Sequence, residues 1–175
     1  MKCRVKRHTV VQPLDQSYRL IPLTQGQNAI VDAEDFEWLS QWNWHAQWDS
    51  SRKTFIAFKS DGPKTRIAMS NTILHCDRTR QVDHQNFYTL DNRKENLRKC
   101  TPAENSRHRR KRSDNTSGFK GVHWDKRKKR WRATIITPEG IRKSLGRYKS
   151  VVQAAHAYDE GAKKYHGEFA HLNFA

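Results

Sequence analysis

No stretch of this chain approaches the roughly 18 consecutive apolar residues that a membrane-spanning helix needs. The opening MKCRVKRH has no apolar signal core either. Both absences point to a cytoplasmic protein, not secreted and without a membrane partner. Cysteine is scarce: Cys3, Cys76 and Cys100 are odd in number and show no CxxC pair, so reduced thiols are expected and a disulfide framework is not. Apolar residues make up only 35% of 175 residues. That is thin for one generous core, so several small modules are expected. Acidic residues are outnumbered, 18 Asp and Glu against 34 Lys and Arg, which leaves a formal net charge of +16 and a pI near 10.1.

Such an excess of positive charge favours a polyanion, because neutralising phosphates releases counterions. What the chain does not lack is aromatics. Six tryptophans, seven phenylalanines and five tyrosines can each bury a large area, which argues against wholesale disorder. The pattern of elements predicts an α+β protein of small modules.

Residues 1–17 read as a loose lead-in. Arg19 to Asp32 reads as two strands about a Gln-Gly turn, and the DAEDFEWLSQW stretch as a short helix with Asp32 as N-cap. WHAQW and TFIAF alternate as strands, and a second hairpin turns at Ser60-Asp61-Gly62-Pro63. Trp38, Trp42, Trp44 and Trp48 are expected to form an aromatic core. The first module therefore spans 1–65.

The densest chemistry lies between Gln81 and His108. Hydrolysis of a phosphodiester needs a base for a water proton and positive charge at the leaving oxygen. A hard divalent cation on oxygen ligands meets the second need. Asp83 can supply a carboxylate, Asn105 an amide oxygen, and His84 an imidazole that titrates near neutrality. A zinc site drawn from His75, Cys76, His84, Cys100 and His108 lacks paired CxxC or HxxxH spacing.

Val82-Asp83-His84, followed by Asn96-Leu97-Arg98 and then Asn105, resembles the HNH motif of phage and intron-encoded homing endonucleases. The resemblance implies a ββα-metal unit over 66–108 that cuts DNA with Mg²⁺ or Mn²⁺ and no small-molecule cofactor. It implies Asp83 as metal ligand, His84 as general base, and Asn96 as the group that orients the histidine or braces the loop. Asn105 or His108 would be the second ligand, and Asn92 a structural brace. A phage-encoded relative would work in the host cytoplasm. The chain departs from that pattern at Phe87, Tyr88 and Thr89, where relatives carry Gly and Asp, and at Ser70-Asn71.

From Ser106 to Ser117 the chain has no apolar residue, with five Lys or Arg between Arg107 and Arg112. A run like this is expected to be a linker or arm that tracks phosphates, with 109–117 as the linker proper. GFKGVHWD, RWRATIIT and IRKSLGRY then read as three strands, turning at Lys126 to Lys129 and at Pro138-Glu139-Gly140. A helix follows from the N-cap Ser150, with Val151, Ala154, Ala155, Tyr158, Ala162 and Tyr165 on one face and Gly167 as the stop.

Gly118 to Phe174 resembles the plant APETALA/ethylene-response-factor DNA-binding domain, on the Gly-Val of strand one, the Ala-Ala-x-Ala-Tyr-Asp helix and the closing Asn173-Phe174. The resemblance implies a three-stranded antiparallel sheet, packed on one helix over 118–175, that enters the major groove of double-stranded DNA. The implied reading positions are Lys120 and His123 on strand one, Arg130, Trp131, Arg132 and Thr134 on strand two, and Arg142 and Ser144 on strand three. The expected whole is a monomeric HNH-type DNA endonuclease targeted by its own DNA-binding domain. The alternative is a non-catalytic, sequence-specific DNA-binding regulator with a degenerate HNH fold. An RNA-binding or purely structural basic protein is the third reading.

Overall fold

The computed structural model describes residues 7–62, 65–77 and 79–174. Cys3 and the Pro63 of the expected second hairpin lie outside the described residues. The chain divides into two compact units, Met1–Thr101 and Pro102–Ala175.

The first unit opens with the hairpin β1 (Tyr18–Pro22) and β2 (Asn28–Asp32), antiparallel with Tyr18 opposite Asp32. Its turn takes Gln25 and Gly26 through φ of 58° and 66°, a left-handed pair that glycine accepts without strain. The expected helix is short and begins late: a 3-10 turn over Ala33–Asp35 leads into α1 (Phe36–Ser40). Asp32 does not cap it. Its carboxylate instead accepts the backbone N–H of Lys94 at 2.8 Å, so a long-range partner outcompetes the local one.

A three-stranded antiparallel sheet follows: β3 (His45–Asp49), β4 (Thr54–Ser60) and β5 (Arg66–Ala68), in that order. After α2 (Met69–Ile73) comes a two-stranded antiparallel sheet, β6 (Gln81–His84) with β7 (Leu97–Cys100).

Leu23, Val31, Leu39, Trp44, Met69 and Leu90 are fully or almost fully buried at the centre of this unit. Burying each such side chain contributes about 1.5–3 kcal/mol. The tryptophans do not all join them. Trp44 is sealed, with its indole N–H donated to the Leu39 carbonyl at 2.7 Å, and Trp38 packs from the side. Trp42 and Trp48 stand about half exposed. Trp42 lies under the Lys59 ammonium, 3.6 Å from its ring centroid, and Trp48 packs edge-on to Phe55 at 5.0 Å.

The second unit starts with α3 (Pro102–His108), so Ser106–His108 is helical where the charge pattern predicts a linker. His108 is buried, which the arginines around it obscure in the sequence. Then come β8 (Val122–Asp125), β9 (Arg130–Ile136) and β10 (Arg142–Tyr148), an antiparallel sheet with β9 in the middle. The helix α4 (Val151–His166) packs on it, capped by Ser150, whose Oγ accepts the Val152 N–H, and ended at Gly167 with φ 53°.

Val122, Ala133 and Ile135 of the sheet meet Ala154, Ala155, Tyr158 and Ala162 of α4. Small residues let the two layers close tightly. A Cβ on Gly161 would meet Leu145 Cδ1 at 2.6 Å, and one on Gly121 would lie 2.0 Å from Tyr158 Cδ2. The protein is thus a mixed α+β chain ending in a three-stranded sheet packed on one helix.

Candidate functional site

Residues directly opposite across an antiparallel pair share a face of the sheet. Val122 with Ala133, Trp124 with Trp131 and Lys143 with Ile135 therefore lie on the α4 side. The other side carries His123 opposite Arg132, Asp125 opposite Arg130, Ser144 opposite Thr134, and Arg142 opposite Ile136. Six of the eight sequence-derived reading positions are brought together on this open face: His123, Arg130, Arg132, Thr134, Arg142 and Ser144.

Two are not. Trp131 sits on the helix side, half-buried, edge-on to Trp124 at 5.0 Å. Lys120 precedes β8, and its ammonium turns back to the chain, donating to the carbonyls of Arg107 and of Arg109, the latter at 2.6 Å. Burial pushes this amine down to about 8.

Sequence reasoning missed Arg147. Strict alternation from Arg142 puts Arg147 on the helix side. A bulge between Ser144 and Gly146 shifts the register by one residue and sets Arg147 opposite Arg132 on the open face. Its guanidinium pairs there with Asp125 at 3.0 Å. Only the Leu-Gly pair hints at the irregularity.

The face is electrostatically crowded. Partial burial, with Arg132 and Arg142 nearby, holds His123 below the usual imidazole range. Arg132 Nε is buried without a hydrogen-bond partner. Phosphates and guanine edges are the groups that satisfy such a set.

In the first unit, the Asp83-His84 pair ends β6. Asp83 Oδ2 accepts Arg98 Nε at 2.9 Å and Nη2 at 2.7 Å, directly across the strand pair, and the carboxylate is buried. His84 is buried too, and burial drives its imidazole below the ordinary range, against the opposing pull of Asn92, Asp83 and Asp91. Its Nε2 lies 3.3 Å from Asn92 Oδ1, and the Asn92 amide nitrogen donates to the Leu90 carbonyl. That assignment makes Nε2 the donor and leaves the lone pair on Nδ1. Asn92 thus orients the histidine.

Asn96 ties the intervening loop: its Oδ1 accepts the Asn86 N–H at 2.9 Å and its amide donates to the Asp91 carbonyl at 2.7 Å. Phe87 in that loop has φ 64°, a left-handed position that explains why a glycine fits there more easily.

Asn105 and His108 belong to α3, in the second unit. Asp83 already holds a guanidinium, and among the described residues no three His, Cys, Asp or Glu side chains cluster to hold a metal.

Residues 117–168 match the AP2 domain family, a DNA-binding domain, and the match lies wholly within the second unit. No solved structure matches the chain. Over 89 residues the sequence is 33% identical to Protein 3.8 of Escherichia phage T7, covering 51% of this chain and 72% of that protein. With that identity and that coverage, the chain is a member of the phage T7 Protein 3.8 family, carrying an AP2 domain over its C-terminal third.

Proposed function

We propose that this protein is a DNA-binding protein that grips duplex DNA with the open face of β8, β9 and β10. One observation carries the reading: the strand register gathers Arg130, Arg132, Arg142, Arg147 and His123 on the side of the sheet opposite α4, inside the segment that matches the AP2 domain. A major groove about 12 Å wide admits strands as well as helices. Arg132 and Arg142 suit bidentate contact to guanine, and Arg130 suits phosphate. Fluorescence anisotropy with labelled duplexes across a salt series tests this. The expected result is steep salt dependence and a loss of about 1–3 kcal/mol for each of Arg132→Ala and Arg142→Ala. Unchanged binding by the double variant would overturn the reading.

A second reading, a metal-dependent DNA endonuclease, is favoured by His84. Burial holds its imidazole below the ordinary range, and Asn92 orients it beside a loop that Asn96 braces. That is the state a general base needs. Supercoiled plasmid incubated with protein and Mg²⁺ or Mn²⁺, against an EDTA control, separates the two readings. Metal-dependent nicking that His84→Ala abolishes, with duplex binding intact, establishes the nuclease. Equal products from wild type and His84→Ala leave the protein a binder alone.

A further inference from the structure

We infer that Ile136 is a base-reading residue and that it recognises the C5-methyl group of a thymine in the major groove. The inference rests on the duplex-binding reading above. Ile136 is 52% exposed, whereas its chain neighbours Ile135 and Thr137 are 3% and 6% exposed. This alternation, with its pairing to Arg142, places it on the open face in line with Thr134 and Arg132. Trp124, also exposed, lies on the other face by register, and Ile141 precedes β10.

On a face that carries Arg130, Arg132 and Arg142, this isoleucine is left half exposed in the free protein. Base edges in the major groove are polar except for the methyl of thymine, so that methyl is the one group against which this side chain gains by being covered. The residue is well placed to discriminate. A β-branched side chain is stiff about χ1, and the strand behind it is pinned where the Ile136 carbonyl accepts His166 Nε2 at 2.8 Å. Cross-strand neighbours stand about 5 Å apart and base steps about 3.4 Å, so the thymine falls within a step or two of the base that Arg142 meets.

The test uses the full chain and duplexes enriched by it from a random library. Each thymine of the enriched sequence is replaced in turn by deoxyuridine, which removes only the methyl. Wild type is expected to lose about fourfold in affinity at one position, the effect of one buried apolar carbon. Ile136→Ala is expected to bind the thymine duplex correspondingly less well and to ignore that substitution. Ile136→Val, which keeps the branched carbon, should retain the sensitivity. Tight duplex binding with no methyl-sensitive position, or Ile136→Ala that still distinguishes thymine from deoxyuridine, overturns the inference alone. Failure to enrich any duplex overturns the DNA-binding reading and the inference with it.

Discussion

The carboxylate of Asp159, buried within α4, holds Asn173 near the end of the chain. It accepts the Asn173 backbone N–H at 2.9 Å and its side-chain amide at 3.0 Å, and a further bond from the Phe174 N–H at 2.9 Å. Asn173 passes the tie on, its Oδ1 accepting the Lys120 N–H at 2.7 Å. The helix, the C-terminal segment and the approach to β8 are thereby locked together behind the open face. Asp159→Ala strands several buried donors and is expected to cost on the order of 3 kcal/mol, read as an early unfolding transition of the second unit in urea. Asp159→Asn, which keeps one acceptor oxygen, should lose less.

Gly121 is the tightest approach in the same unit. An added Cβ would meet the Tyr158 ring at 2.0 Å and the Thr134 carbonyl at 2.9 Å, with φ at 73°. Both the backbone strain and the overlap oppose a side chain. Gly121→Ala is expected to destabilise by roughly 3 kcal/mol or more. A melting temperature within a degree or two of wild type would contradict the packing described.

Acid should loosen the second unit. Burial first, then Lys120, His108 and Arg110, hold His171 down from 6.5 to about 4. The unfolded chain therefore takes up this proton more readily than the folded one. The contribution is fully present above pH 6.5 and is lost as the pH falls towards 4. Thermal melts across that window should show falling stability, with a shallower fall for His171→Asn. A pH-independent melting curve for wild type would refute this.

Asp125 restrains Arg147. Asp125→Asn removes the carboxylate that pairs with this guanidinium at 3.0 Å and releases a cation to the open face. Duplex affinity is expected to rise, and the slope of log K against log salt to steepen by roughly 0.9 for one more neutralised phosphate. An unchanged slope would show that Arg147 does not reach the backbone.

In the first unit, Arg98 neutralises Asp83. Arg98→Met leaves a buried carboxylate facing an apolar chain and should destabilise by about 3–5 kcal/mol, while Asp83→Asn in the same chain should restore part of the loss. Equilibrium denaturation of the two variants and their combination measures the coupling.

The C-terminal unit was the most legible part of the sequence, because its punctuation is local. Ser150 as cap, Gly140 in its turn and Gly167 as stop each act within a few residues, and alternation in RWRATII marks the helix side without outside information. Where partners are distant, the sequence misleads. Asp32 looks like a helix cap and instead binds Lys94. His108, flanked by arginines, looks solvated and is buried. Lys120 looks like a phosphate ligand and is spent on two carbonyls. Among the candidate nuclease residues, the spacing made Asp83, His84 and Asn96 conspicuous. The guanidinium on Asp83 and the contact of Asn92 with His84 depend on strand pairing and loop closure, which spacing does not encode.

The bulge at Leu145 makes β10 a strand with two phases. Before it, even-numbered positions lie on the open face; after it, odd-numbered ones do. A recognition code carried over from any regular strand keeps its meaning up to Ser144 and inverts beyond it. Deleting Leu145 would remove the extra residue, leave Arg147 opposite Arg132, and bring the whole of β10 into a single phase.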